Sequence, residues 1–130
     1  MQSETLSAIL AAPARVVFNY LSDPNNLPEW ATEFCLGLSE ENGVYTAQTP
    51  MGELIMNVEA DSKSGVIDMY ASSDGQKGLP LATRALSLSE EQTLYTVTFI
   101  REPGVTDSMF QQQLGSLRKE MDNLRSLFRV

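Results

Sequence analysis

The chain has 130 residues, of which 42% are hydrophobic and 20% charged, and this composition predicts one globular domain over residues 1–130. Seventeen acidic and nine basic residues give a net charge of -8, which opposes binding to nucleic acids and to anionic lipid surfaces. With one cysteine, Cys35, and no histidine, the sequence offers neither an internal disulfide nor a zinc site, so we predict a cytoplasmic protein without a bound metal.

The first quarter of the chain predicts one strand followed by two short helices. Residues 3–10 form the strand, and the apolar stretch 6–12 is too short for a signal peptide or a membrane span, so no stable membrane insertion is expected. Ala12-Pro13 opens a helix that runs to about Leu21, because proline is preorganised for the first helical turn. Asn26 is placed to cap a second helix over residues 27–31.

From Glu33 onward the apolar residues alternate instead of following a helical period, which predicts six more strands. Turn residues such as Asn42-Gly43 separate several of them and suit tight hairpins. Strands joined by such short turns pair antiparallel. The predicted strands cover residues 33–40, 44–49, 53–61, 65–72, 80–89 and 92–101.

The last predicted element is a long amphipathic helix over about 107–128, capped by Thr106 or Asp107. Its apolar residues recur at alternating steps of four and three, which forms one continuous stripe. The only surface large enough to cover this stripe is the concave apolar face of the sheet. We therefore predict an α+β fold with a seven-stranded curved antiparallel sheet around the C-terminal helix. The stripe consists of Phe110, Leu114, Leu117, Met121, Leu124 and Phe128.

Local sequence features accompany this order of elements over nearly the whole chain. They are the segments 9–13, 23–24, 27–31, 49–54, 82–85, 95–99 and 103–104, the residues Val17, Phe18, Leu21 and Phe110, and the helical segment 120–128. Together they resemble the START-like, or SRPBCC, superfamily, including its polyketide cyclase-like members. The resemblance implies a helix-grip fold with a hydrophobic cavity between the long helix and the sheet, used across that superfamily for lipids, polyketides and other apolar molecules.

The resemblance places the candidate ligand site in that cavity. A fully packed core is the alternative, since apolar residues at these spacings occur in every amphipathic element. Trp30 either gates the cavity mouth or anchors the short helix. Arg84 either faces solvent or lies inside as the anchor for an acidic ligand, with Asp68 or Glu120 as its partner. The predicted lining is Trp30, Tyr45, Met56, Met69, Arg84, Tyr95, Phe99, Phe110, Leu114, Leu117 and Met121.

We predict that the protein binds a small hydrophobic or amphipathic ligand, with Arg84, Tyr95 and Tyr45 as polar contacts. No glycine spacing is typical of a nucleotide site, so no cofactor is expected. One alternative is a cyclase or dehydratase acting on an aromatic or polyketide-like substrate, with Asp68, Tyr70 or Tyr95 as acid or base. Strand parity places Asp68 opposite the apolar side, and the absence of histidine disfavours this chemistry.

A second alternative is a protein-interaction module resembling chaperone activators. Such a module should carry a contiguous apolar patch on an exposed face. The sequence also leaves open a homodimer formed through a sheet edge.

Overall fold

A computed structural model describes residues 1–129, which form seven strands, three α-helices and one 3-10 turn. The predicted order of elements is confirmed. In chain order the elements are β1 (Ser3–Leu10), α1 (Ala14–Leu21), the 3-10 turn (Pro24–Asn26), α2 (Leu27–Trp30), β2 (Gly37–Glu41), β3 (Val44–Thr49), β4 (Gly52–Asp61), β5 (Val66–Ser72), β6 (Leu81–Ser89), β7 (Gln92–Ile100) and α3 (Asp107–Leu127).

All seven strands form one curved antiparallel sheet in the order β1-β7-β6-β5-β4-β3-β2. Strands β2 to β7 follow the chain as successive hairpins, whereas β1 pairs with β7 across almost the whole sequence. Side chains alternate between the two faces, so Tyr95 and Val97 of β7 are buried on the inner face. Thr98 lies on the outer face, where its hydroxyl is 2.9 Å from that of Thr5 on β1.

Helix α3 crosses the inner face of the sheet, as its apolar stripe predicts. The Thr106 hydroxyl caps the helix by accepting a hydrogen bond from the Met109 amide at 3.2 Å. At the other end, the Phe128 carbonyl accepts a hydrogen bond from the Ala11 amide at 2.9 Å, which ties the helix to the end of β1. The stripe residues Phe110, Leu114, Leu117, Met121 and Leu124 are all buried.

Two local predictions are wrong. The strand predicted to begin at residue 33 begins at Gly37, because the amides of Phe34 and Cys35 donate to the Ala31 carbonyl in a turn that follows α2. The Asn26 side chain does not cap α2; it donates instead to the Tyr20 carbonyl at 2.9 Å. Alternating apolar residues mark both strands and irregular buried segments, so the pattern alone placed the strand too early.

The segment between α2 and β2 is held against α3 by side chains of that helix. Asn123 donates through its amide nitrogen to the Trp30 carbonyl and to the Thr32 hydroxyl, both at 2.9 Å. Glu120 binds the backbone of the same segment, as described below. No helix within residues 1–129 is both long and apolar enough to cross a bilayer.

Candidate functional site

The predicted site residues fall into three groups by their exposure. Tyr45 and Phe99 are half-buried, and Arg84 is exposed. The remaining eight have exposed fractions between 0% and 6% and lie between the sheet and the helices. They are Trp30, Met56, Met69, Tyr95, Phe110, Leu114, Leu117 and Met121. These eight side chains therefore lie in the buried interior, and their role as a ligand site stays a prediction.

Two surface grooves lie away from the centre of this lining. One, of about 290 Å³, lies between β1 and α3 and is lined by Leu6, Met121 and three charged residues of α3. The other, of about 340 Å³, lies between α1, the turn from β4 to β5, and β6. Close burial of the lining residues is also what a packed core requires, so an internal cavity stays a prediction.

Tyr95 places a hydroxyl group in the middle of the apolar interior. Its side chain is fully buried on β7, and the hydroxyl has no hydrogen-bond partner within residues 1–129. Burial raises the pKa of Tyr95; the nearby Thr83 hydroxyl partly offsets this rise, and the charge of Glu120 adds to it. The two hydroxyls do not have hydrogen-bond geometry, and Thr83 donates instead to the Ile67 carbonyl at 2.6 Å.

Trp30 has a second buried donor without a partner. Its side chain is 2% exposed, and its indole Nε1 makes no hydrogen bond in the described part of the chain. The Trp30 backbone is fixed, because its carbonyl accepts the hydrogen bond from Asn123. Trp30 is therefore an interior residue on a helix anchored to α3, and it does not lie at an open mouth.

Glu120 is a buried carboxylate that the sequence prediction named only as a possible partner of Arg84. Its Oε2 accepts hydrogen bonds from the amides of Glu33 at 3.1 Å and Phe34 at 2.9 Å. Burial raises the pKa of Glu120 to about 7; the two amides partly offset the rise, and the charge of Glu33 adds to it. The helical period contained the signal, since Glu120 follows Leu117 by three residues and precedes Leu124 by four, which puts it on the apolar stripe.

The interior formed by residues 1–129 therefore holds acidic groups and no basic one. Burial raises the pKa of the Cys35 thiol, and the charge of Glu120 raises it further, as it does for Tyr95. Within residues 1–129 no lysine or arginine side chain is buried. Among these residues the buried interior thus combines apolar side chains with two unpartnered hydrogen-bond donors, three threonine hydroxyls and one carboxyl group.

No protein-family model and no curated protein matches this sequence. Solved structures do match its fold over nearly its whole length. A START superfamily protein from Mycobacterium smegmatis is 18% identical, with 97% of this chain and 96% of that chain aligned at a TM-score of 0.68. The Zhui aromatase/cyclase from Streptomyces sp. R1128 is 14% identical, with 96% and 92% aligned at a TM-score of 0.70. The fold is START-like.

A third similar structure is the Aha1 dimer from Colwellia psychrerythraea, which is 13% identical, with 96% of this chain and 97% of that chain aligned at a TM-score of 0.66. At identities this low, similarity establishes the START-like arrangement of strands and helices and leaves the ligand open.

Three predicted site residues lie on the outer face of the START-like sheet, and we correct their placement. Arg84 is exposed between the buried Thr83 and Ala85, and its Nε donates to the Ser64 carbonyl at 2.9 Å. Asp68 and Tyr70 alternate with buried residues of β5 and point away from α3. Of the three predicted acids or bases, only Tyr95 lies in the interior.

Tyr45 lies at the rim of the interior, where the 3-10 turn approaches β3. Its hydroxyl accepts a hydrogen bond from the Asn25 amide nitrogen at 3.1 Å. Asn25 in turn is held by Asp23, whose carboxylate accepts from its backbone and its side-chain nitrogens at 3.0 Å. Tyr45 is therefore a partnered polar group at the edge of the site, unlike Tyr95.

The outer face also carries a row of apolar residues across three neighbouring strands. Ile9 on β1 is opposite Leu94 on β7, which is opposite Leu86 on β6. Ile9 is 58% exposed and Leu86 is 40% exposed. This row is the surface that an interaction-module function would use.

Proposed function

We propose that this protein binds a small hydrophobic or amphipathic ligand between the sheet and α3, with the Tyr95 hydroxyl as its polar contact. The observation that carries the proposal is the buried hydroxyl of Tyr95, which has no hydrogen-bond partner although the buried Thr83 hydroxyl is nearby. A buried polar group without a partner costs about 1–3 kcal/mol, and nearly all such groups in folded proteins are paired. A ligand oxygen that pairs with this hydroxyl would recover that free energy.

Flexible side chains give the interior a way to admit a ligand. Met56 of β4 and Met69 of β5 lie on neighbouring strands of the inner face, and Met121 of α3 belongs to the same apolar cluster. Methionine has three rotatable bonds and adapts its shape at low cost, so these side chains can move aside when a ligand enters. The START-like and aromatase/cyclase neighbours support the proposal at the level of the fold.

Replacing Tyr95 with phenylalanine should weaken ligand binding without lowering the stability of the fold. We expect the affinity for acedan, a neutral naphthyl ketone with environment-sensitive fluorescence, to fall by roughly tenfold, because the ketone oxygen loses its donor. Stability to urea should stay the same or rise slightly, because the substitution removes a buried hydroxyl that has no partner. Fluorescence titration measures the affinity, and circular dichroism follows unfolding.

Tyr70→Phe is the matched control for this experiment. It removes a tyrosine hydroxyl from the outer face of β5 and should leave acedan binding unchanged. Native mass spectrometry should show one acedan molecule per chain. Failure of acedan to bind, or full affinity in the Tyr95→Phe variant, would contradict the proposed function.

A second candidate function is catalysis of the cyclase or dehydratase type, and Glu120 is the observation that favours it. A carboxyl group with a pKa near 7 is well matched to proton transfer at neutral pH. Its charge also acts on Tyr95, the other acidic group of the lining. In this case Glu120, and not Asp68 or Tyr70, would exchange the proton. Turnover of a polyketone substrate should then be lost in Glu120→Gln while acedan binding persists.

We further propose that the protein acts in the cytoplasm, since Cys35 is a buried free thiol that a reducing compartment preserves. Strands β1 and β2 form the two sheet edges, and a homodimer would form through one of them. The similar Aha1 structure is a dimer. Light scattering would distinguish one chain from two in solution.

A further inference from the structure

The buried polar atoms that lack a hydrogen-bond partner indicate which kind of ligand group could pair with them. Three buried side-chain atoms make no hydrogen bond within residues 1–129. The Trp30 indole nitrogen can only donate, and the Tyr95 hydroxyl donates when it meets a carbonyl oxygen. The third atom, Oε1 of Gln113 on α3, is an acceptor. All three belong to neutral groups, and the two on fully buried side chains call for an acceptor.

The charged groups around the interior also favour a ligand group that accepts hydrogen bonds and carries no negative charge. Arg84, the one basic residue predicted to face inward, lies on the outer face. Arg101 is half-buried near the start of α3, where its guanidinium donates to the Val105 carbonyl at 2.7 Å and pairs with Asp107. Among residues 1–129 no lysine or arginine side chain is buried, and Arg101, whose guanidinium lies 6.0 Å from the centre of the Phe110 ring, is already paired with Asp107. Glu120, in contrast, places a carboxyl group in the interior.

These observations predict different binding free energies for anionic, cationic and neutral ligands. A carboxylate brought into this interior would lose its hydration without gaining a cation, which is a large unfavourable term. It would also meet the like charge of Glu120. An ammonium group could donate to Gln113 Oε1 or to the Glu120 carboxylate, but it has no acceptor to offer to the two unpartnered donors of Trp30 and Tyr95. A neutral carbonyl oxygen satisfies a donor without either cost.

We infer that the interior selects a neutral ligand whose polar end is a hydrogen-bond-accepting oxygen, such as a ketone or ester carbonyl, and discriminates against carboxylates. The inference rests on the proposed function and narrows it to a ligand class. It also replaces the prediction that an inward Arg84 anchors an acidic ligand, because Arg84 lies on the outer face.

The test compares ligands that differ only in the polar end. Acedan carries an acetyl group, and 6-(dimethylamino)-2-naphthoate carries a carboxylate of the same size on the same rings. The ketone 2-tridecanone and the carboxylate dodecanoate form an equivalent pair with a flexible chain. At about pH 8, where Glu120 is ionised, we expect each ketone to bind at least roughly tenfold more tightly than its matched carboxylate.

Glu120→Gln tests the source of the discrimination. The variant keeps a carbonyl that can accept from the Glu33 and Phe34 amides and removes the charge, so the ratio between ketone and carboxylate should become smaller. Asp122→Asn removes a charge from the exposed side of α3 and should leave the ratio unchanged. Equal or tighter binding of the carboxylates would overturn the inference and leave the proposed function standing. If neither member of either pair binds, the proposed function fails and the inference fails with it.

Discussion

Replacing Gly65 with alanine should lower the free energy of unfolding by roughly 3 kcal/mol or more. Gly65 ends the turn between β4 and β5 with φ at +79°, a conformation that side chains with a Cβ rarely adopt. A Cβ there would lie 2.1 Å from the backbone oxygen of Ala85 on β6. That strand cannot move away freely, because the Ala85 amide donates to the Gly65 carbonyl at 2.9 Å. Urea unfolding followed by circular dichroism measures the loss.

Gly43→Ala is the matched control for the contact at Gly65. Gly43 has nearly the same φ, +81°, but a Cβ at this hairpin would meet no atom within 4 Å. Its substitution should therefore cost only the backbone strain, about 1 kcal/mol. Equal losses in the two variants would mean that strain alone matters and that the close approach of the β4–β5 turn to β6 does not. The contact between Gly65 and Ala85 bears on the candidate site because the adjoining strands, β5 and β6, carry Ile67 and Thr83 on the inner face.

The fold was predictable because its two main patterns are local and strong. Alternation in β7 assigns Tyr95 and Val97 to one face, and the period of α3 assigns Phe110 to Leu124 to one stripe. Each pattern leaves an apolar surface that only the other can cover, so the helix must lie across the inner face of the sheet. Strand parity also predicted correctly that Asp68 faces away from α3.

The candidate site was less predictable because it depends on contacts between distant segments. Arg84 is flanked by apolar residues in sequence, and nothing local shows that its guanidinium binds the Ser64 carbonyl. Glu120 is far in sequence from Glu33 and Phe34. It accepts hydrogen bonds from their amides only because the turn after α2 presents them to α3, and the Phe34 amide also donates to the Ala31 carbonyl. A pattern of apolar residues cannot show which buried donors will lack a partner, as Trp30 does.

Whether the interior leaves room for a ligand is a question of volume, which periodicity does not encode. The spacing of Leu117 and Met121 on α3 is the same in a filled core and in the wall of a cavity. What distinguishes the two is how completely the side chains fill the space between helix and sheet, and a difference of a few methyl groups decides it. The Tyr95 hydroxyl is informative because a polar group without a partner is unusual in a filled core.

Glu120→Gln should stabilise the protein at pH 8 by up to about 3 kcal/mol relative to the unsubstituted chain. Burial raises the pKa of Glu120 from 4.5 to about 7, so between these values the folded state binds a proton that the unfolded state does not. Stability from this group is therefore fully present below about pH 4.5, falls as the pH rises to about 7, and stays low above that. Glutamine remains neutral throughout and avoids the loss.

The measurement is the difference in unfolding free energy between Glu120→Gln and the unsubstituted chain from pH 4.5 to 8, because other titrating groups cancel in this difference. It should be near zero at the acidic end and grow with pH, and Asp122→Asn on the exposed side of α3 should show no such growth. A variant less stable than the unsubstituted chain at pH 8 would mean that the hydrogen bonds from Glu33 and Phe34 require the carboxylate charge. In that case the charge would stabilise the α2–β2 segment instead of opposing its burial.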